Sequence, residues 1–150
     1  MNRFRFRFSG VLRYREIIEE NKTRSFGVAL DHLRHEEDRL RFIDSTIYGH
    51  EKLMEDSSQG RISVRDLQNK YNFARRLDRE RDTQEKVISK AHNELEIRRK
   101  ELIEATKERK IIERLEERDR ESYDIEVRRE EQAVSDETST QRFFRRDENR

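Results

Sequence analysis

Residues 55–61 read Glu55-Asp56-Ser57-Ser58-Gln59-Gly60-Arg61, a polar cluster that closes around one of only four glycines in the chain. A cluster of this kind, with a helix-stopping glycine and Ser63 just beyond it as a cap for new helix, is a turn. On either side of it the 150 residues contain no proline, and Gly10, Gly27 and Gly49 stand singly, so long helices are permitted in both directions. The stretch therefore reads as the turn of an antiparallel helical hairpin.

Hydrophobic spacing on the two sides supports this. Before the turn, Leu12, Phe26, Leu33, Leu40, Ile47 and Met54 share one seven-residue series in which Glu19 is the polar exception. Ala29 and Ile43 follow that series at the three-residue offset and Leu30 at the four-residue offset. After the turn, Leu67, Ala74, Ile88, Leu95 and Leu102 form a second series, with Arg81 as the exception and Tyr71, Ala91, Ala105 and Ile112 in support. A left-handed two-stranded coiled coil follows from a sustained seven-residue repeat.

The expected architecture is all-α, a long antiparallel two-helix coiled-coil hairpin forming a single domain over 1–150. It has a first helix over about 11–55, a turn at 56–61, a second helix over about 62–134 and a basic tail over 135–150, where Ser135 to Thr140 reads as a break. Leu40 should face the region of Leu77, and Leu12 that of Ala105. At the α-helical rise the first helix would span about 68 Å and the second about 110 Å, so the second overhangs the first. That overhang carries Ile111, Ile112, Leu115, Tyr123, Ile125 and Val127, an apolar stripe that calls for an external partner.

Composition agrees and narrows the functional classes. Ala, Glu, Lys, Leu and Arg make up 73 of the 150 residues, the signature of a long helix or coiled coil. Leu, Ile, Val and Phe make up 35, enough to order the chain but too few for a conventional globular core. Thirty-five Lys and Arg against 34 Asp and Glu leave a net charge of +1, which gives no uniform field for nucleic acid or an anionic membrane. Arg75-Arg76 and Arg98-Arg99-Lys100 are each balanced by nearby acids such as Asp78, Glu80, Glu96 and Glu101, so no nucleic-acid partner is expected. The N-terminus lacks a signal-peptide h-region, and no apolar run is long enough for a membrane span, which points to a cytosolic protein without membrane insertion. With no cysteine there are no disulfides and no thiolate chemistry.

Catalysis is not expected. Single glycines cannot build a phosphate-binding loop, so no nucleotide cofactor is expected. His32 and His35, three apart beside Glu36 and Glu37, could in principle face a metal, but without a Glu-x-x-His pair they read as solvated surface and no metal site is assigned. A two-helix rod has no concave interior in which a carboxylate could be desolvated into a general acid.

The ends and one aromatic cluster stand out. Residues 1–15 contain Arg3, Arg5, Arg7, Arg13 and Arg15 and no acid, interleaved with Phe4, Phe6 and Phe8, and the tail repeats this chemistry in Arg142-Phe143-Phe144-Arg145-Arg146. Basic residues beside exposed phenylalanines suit a docking surface, whereas the bland alternative is that the rings pack against each other. Near the turn lie Phe42, Tyr48, Tyr71, Phe73 and Leu77. Phe42 and Phe73 each precede a seam position by one, so they should face outward as partner contacts.

The opening Phe4-Arg5-Phe6-Arg7-Phe8-Ser9-Gly10-Val11-Leu12-Arg13-Tyr14-Arg15-Glu16, the hydrophilic body, the turn at Gly60 and the tail Asp136-Glu137 followed by Gln141-Arg142-Phe143 resemble the FliJ family. FliJ proteins are small coiled-coil components of the bacterial flagellar type III export apparatus. The resemblance implies a non-enzymatic, monomeric hairpin acting as a stalk. Such a stalk enters the hexameric export ATPase FliI, promotes its ring assembly and activity, and links it to the export gate protein FlhA. Contact with export chaperones and a cytoplasmic location, peripheral to the inner membrane, are implied with it. On this reading Arg3, Phe4, Phe6, Phe8, Arg142 and Phe143 enter the ATPase ring, and Phe42, Tyr48, Phe73 and Leu77 face the gate. Ser45 and Gly49 stand where the family pattern favours larger side chains. A generic coiled-coil scaffold or tether, and an injectisome stalk protein, are the alternatives.

Overall fold

A computed structural model describes the backbone of residues 3–57 and 60–147, and the side chains of residues 3–57 and 60–142. Two helices account for nearly all of it: α1, Ser9–Ser57, and α2, Val64–Asp147. Both are longer than the spacing predicts. α1 starts two residues early and ends two late, and α2 continues well past the expected end at 134.

Ser63 caps α2 as its position predicts. Its Oγ accepts a hydrogen bond from the Asp66 amide at 3.1 Å and donates to Asp66 Oδ2 at 2.7 Å, while its carbonyl accepts from the Leu67 amide at 3.1 Å. Ser63 is thus the N-cap of α2, and Asp66 in the third helical position sets a carboxylate where the helix dipole favours it. Across the turn Gly60 N donates to the Ser57 carbonyl at 3.3 Å, and Lys70 Nζ donates to Ser57 Oγ at 2.7 Å.

The expected break at Ser135 to Thr140 is helix instead. Thr138 Oγ1 donates to the Val134 carbonyl at 2.7 Å and Thr140 Oγ1 to the Asp136 carbonyl at 2.8 Å, so the hydroxyls are satisfied within the helix. Gln132 Nε2 donates to Asp136 Oδ1 one turn on. With no glycine or proline in this stretch, polar composition alone does not stop the helix.

The chain divides into two compact units, Glu20–Glu104 and Met1–Glu19 with Ala105–Arg150. They are called here the hairpin unit and the terminal unit. In the hairpin unit the two helices pack antiparallel around Ala29, Leu33, Ala91 and Leu95, with Phe26, Leu30 and Ile88 against that cluster. Ile43 and Leu77 extend it. Buried positions follow the seven-residue series and its three-residue companions: Ala29, Glu36 and Ile43 stand three after Phe26, Leu33 and Leu40. Leu77, Gln84 and Ala91 stand three after Ala74, Arg81 and Ile88. That is the alternating 3–4 spacing of a coiled-coil seam.

One layer of the seam is polar. Glu36 and Gln84 are both buried, and the Gln84 amide donates to Glu36 Oε2 at 2.6 Å and to the Glu36 carbonyl at 3.0 Å. The Gln84 hydrogen bond holds the Glu36 carboxyl below its usual range. A turn centred near residue 58 would set Glu36 opposite Arg81, so the observed register lies three residues away from that expectation. Arg81, the polar exception in the second series, instead donates from Nε to Asp44 Oδ1 at 2.7 Å and pairs with Glu85.

In the terminal unit α1 residues up to Glu19 pack antiparallel on α2 from Ala105 onward. Ala105 is buried, and Leu12 and Ile112 are half-buried. Glu19, the exception in the first series, accepts from Thr106 Oγ1 at 2.7 Å and from Arg109, whose guanidinium also reaches Glu113. The Thr106 hydroxyl and then Arg109 hold the Glu19 carboxyl below its usual range. Arg15 is bridged to Glu108. α1 begins at Ser9 while α2 runs on, and every side chain from 128 to 142 is exposed. The second helix thus outruns its partner, as expected.

Candidate functional site

Residues 3–6 precede α1 as non-helical backbone. Along it the arginines and phenylalanines differ in exposure. Arg3, Arg5 and Arg7 are exposed, Phe4 is half-buried and Phe6 is buried at 6% exposure. The Phe4 ring lies 5.5 Å from the Tyr123 ring at an interplanar angle of 50°, and Phe6 meets Phe8 edge-on at 5.9 Å. Both are favourable aromatic geometries. The segment joins α1 through a turn in which Ser9 N donates to the Phe6 carbonyl at 3.5 Å. Phe8 is 37% exposed, with the Arg7 guanidinium 5.4 Å from its ring centre.

These residues form a strap on α2, which corrects the expectation that the overhang has no partner within the chain. Tyr123 is covered by Phe4, and Val127 is half-buried, whereas Ile111, Ile125 and Val134 are exposed at 64%, 48% and 63%. Between strap and helix lies an open groove of about 430 Å³, lined by Arg3, Phe4, Arg5, Asp119, Ser122, Tyr123 and Glu126. Of the residues assigned to the ATPase ring, Arg3, Phe8 and Arg142 are therefore exposed, Phe4 is shared with Tyr123 and Phe6 is spent inside. The side chain of Phe143 lies outside the described residues.

In the hairpin unit the four residues assigned to the gate separate. Phe42 and Tyr48 project outward, 72% and 69% exposed. Phe73 is half-buried at the seam edge, its ring edge-on to His50 at 5.0 Å with the Arg76 guanidinium 5.2 Å from its centre. Leu77 is 5% exposed and belongs to the core. Its place three residues after Ala74 puts it at the apolar companion position of the seam, so it drops out of any outward face. Conversely, Leu67 and Tyr71, read as seam, are exposed and line up with Val64 at i, i+3 and i+7. Fully buried apolar positions end at Leu77; nearer the turn Ile47, Met54, Phe73 and Ala74 are half-buried, and polar contacts join them, with His50 Nε2 3.0 Å from the Lys70 carbonyl.

His32 and His35 are exposed, and Glu36 is turned into the seam toward Gln84, with His32 Nδ1 3.8 Å from its other oxygen. Among the described residues no cluster of histidine and carboxylate side chains is arranged to hold a metal ion. An open groove of about 450 Å³ in the hairpin unit is lined by Arg24, Val28, His32, Glu94 and Arg98, but its arginines are bridged to Glu20 and Glu94. No described helix is long and apolar enough to cross a membrane.

Neither the curated proteins nor the solved structures compared with the chain gave a match. The family model described as the flagellar FliJ protein matches residues 4–148, a span that contains the strap, both helices and the turn. That family is a non-enzymatic component with a role in flagellar export. An almost entirely helical chain of paired helices, matched by that model over nearly its whole length, belongs to the flagellar FliJ protein family.

Proposed function

We propose that the chain is the stalk of the flagellar type III export apparatus, inserting into the hexameric ATPase FliI to promote its assembly and activity and linking it to the export gate FlhA. The match to the FliJ family over 4–148 carries this reading. The stalk acts at the cytoplasmic face of the inner membrane, held there through the apparatus, and export chaperones are further partners. Paired helices without a catalytic cluster among the described residues suit a part that works through its surface.

On this proposal the ring is contacted directly by the exposed Arg3, Phe8 and Arg142 together with Phe143, while Phe4 and Phe6 fix the strap on which Arg3 is presented. The gate is contacted by Phe42 and Tyr48, with Phe73 at the margin. The decisive experiment measures ATP hydrolysis and ring formation by FliI, at concentrations too low for spontaneous hexamers, with and without this protein. Stimulation together with rings in electron micrographs supports the stalk. No effect from a helical, monomeric preparation returns the chain to the scaffold class.

The two surfaces separate by mutation. Phe42→Ala with Tyr48→Ala should weaken binding to the cytoplasmic region of FlhA and leave FliI binding intact, and unchanged FlhA affinity removes the gate assignment. The triple variant Arg3→Ala, Phe8→Ala, Arg142→Ala should do the reverse.

A further inference from the structure

The strap is a peptide already docked on a helix, and its chemistry matches the surface beneath it. Residues 3–8 hold Arg3, Arg5 and Arg7 and no acid. The α2 segment 116–126 holds Glu116, Glu117, Asp119, Glu121, Asp124 and Glu126 against Arg118 and Arg120. Opposite charge on the two sides steers association and fixes register. The Phe4 ring against Tyr123 supplies the apolar anchor, and the groove between strap and helix stays open with Asp119, Ser122 and Glu126 on its wall. The strap therefore occupies this face without filling it.

We propose that the α2 face around Asp119, Tyr123 and Glu126 is a docking site for extended, basic, phenylalanine-bearing segments. Residues 3–6 hold it in cis, and a partner presenting the same chemistry takes it in trans by displacing them. The occupant is set by the strap itself: arginines toward the acidic wall and a phenylalanine ring on Tyr123. A site occupied in cis binds in trans with an affinity reduced by the fraction of time that it stands empty, so the strap acts as an internal competitor that sets the threshold for partner binding. This goes beyond the stalk reading and does not rely on it, because no ATPase enters the test.

The probe is a fluorescein-labelled peptide of residues 3–10, titrated by anisotropy into three full-length chains. They are the wild type, Phe4→Ala with Phe6→Ala, and the latter carrying Asp119→Lys with Glu126→Lys, each checked for helicity by circular dichroism. The phenylalanine variant, whose own strap is loosened, should bind the peptide at least about tenfold more tightly than the wild type does. The charge-reversed variant should lose that binding, and rising salt should weaken it. Equal affinity for the wild type and the phenylalanine variant, both helical, overturns the proposal, as does binding unaffected by charge reversal. A concentration-dependent wild-type dimer in sedimentation equilibrium, abolished by Asp119→Lys with Glu126→Lys, would identify that partner as a second copy's strap and supports the proposal; a dimer that the charge reversal leaves intact forms elsewhere and counts against it. Should the phenylalanine variant lose helicity, Asp119→Lys with Glu126→Lys in the otherwise wild-type chain provides a second check. It should detach the strap, seen as a shift of the Tyr123 ring resonances, and an unchanged Tyr123 environment overturns the proposal.

Discussion

The hairpin unit and the terminal unit pair the same two helices with different materials. In the hairpin unit Ala29, Leu33, Ile43, Leu77, Ala91 and Leu95 are buried, whereas in the terminal unit only Phe6 and Ala105 are buried hydrophobics among the described residues. The terminal unit compensates with cross-helix polar contacts, Arg15 to Glu108 and Glu19 to Thr106 and Arg109, and with an aromatic strap. Apolar burial is insensitive to salt, and exposed or half-exposed ion pairs are screened by it. The hairpin unit, though it too has cross-helix pairs in Lys22–Glu101 and Arg81–Asp44, rests mainly on an apolar seam that salt leaves in place. The other holds through contacts that a charged partner can replace.

The largest test of that contrast is Leu33→Ala. Leu33 is 6% exposed within the main cluster, and truncating a buried leucine costs about 2–4 kcal/mol including the cavity left behind. Thermal denaturation followed by circular dichroism should show a marked fall in midpoint. A loss below about 1 kcal/mol would mean that the apolar seam does not dominate this unit.

Next is Gln84→Ala, which leaves the Glu36 carboxylate buried without its amide donor and should cost about 1–3 kcal/mol. The sign of the pH dependence follows from the same contact. Glu36, Glu19 and Glu101 all have carboxyls held below the ordinary glutamate range, by Gln84, Thr106 and Lys22 first in each case. A depressed carboxyl contributes stability that is fully present above its unfolded value and is lost as pH falls through the folded value. Melting temperature should therefore hold steady down to about pH 5 and drop below the unfolded value of 4.5. In Glu36→Gln the acid-side drop should be shallower; an identical acid limb would show that Glu36 contributes nothing to it.

Ser63→Ala should cost about 1 kcal/mol through loss of the cap on α2, and the loss should be local to the turn. Hydrogen exchange at Asp66 and Leu67 would accelerate while the amides around Leu95 stay protected. Uniform acceleration would make the turn part of a single cooperative block.

Ser63 also marks where sequence reasoning succeeds. A cap, a turn glycine and a seven-residue apolar repeat are local or periodic signals, and they located the hairpin, the seam and most of its members. The failures are contacts that periodicity cannot rank. Leu77 and Leu67 are both leucines on plausible stripes, and only the phase of the partner helix decides that the first is buried and the second exposed. Phe4 was legible as an aromatic in a basic run, but its ring partner Tyr123 lies on α2, more than a hundred residues away in the chain. The end of α2 is hidden because a run of serine and threonine reads as a break, although the Thr138 and Thr140 hydroxyls bond back to the helix carbonyls. Glu19 and Arg81 were legible only as flaws in the repeat, and both turn out to bridge the helices. A charged residue at a seam position, with a complementary one across the hairpin, is the signal that could have found them.

The smallest effect expected is at Arg15 and Glu108, whose side chains are 33% and 40% exposed. A pair this open gains little from Coulomb attraction after the entropy of ordering two long side chains, so Glu108→Gln should cost less than about 1 kcal/mol at low salt. Its value lies in the salt dependence. Raising ionic strength from about 0.05 to 0.5 M shortens the screening length severalfold, so the difference between Glu108→Gln and the wild type should vanish. The penalty of Leu33→Ala should survive unchanged over the same range. Equal salt sensitivity of the two variants would mean that the units are held together by the same forces after all, and the strap would then have no weaker pairing beside it for a charged partner to exploit.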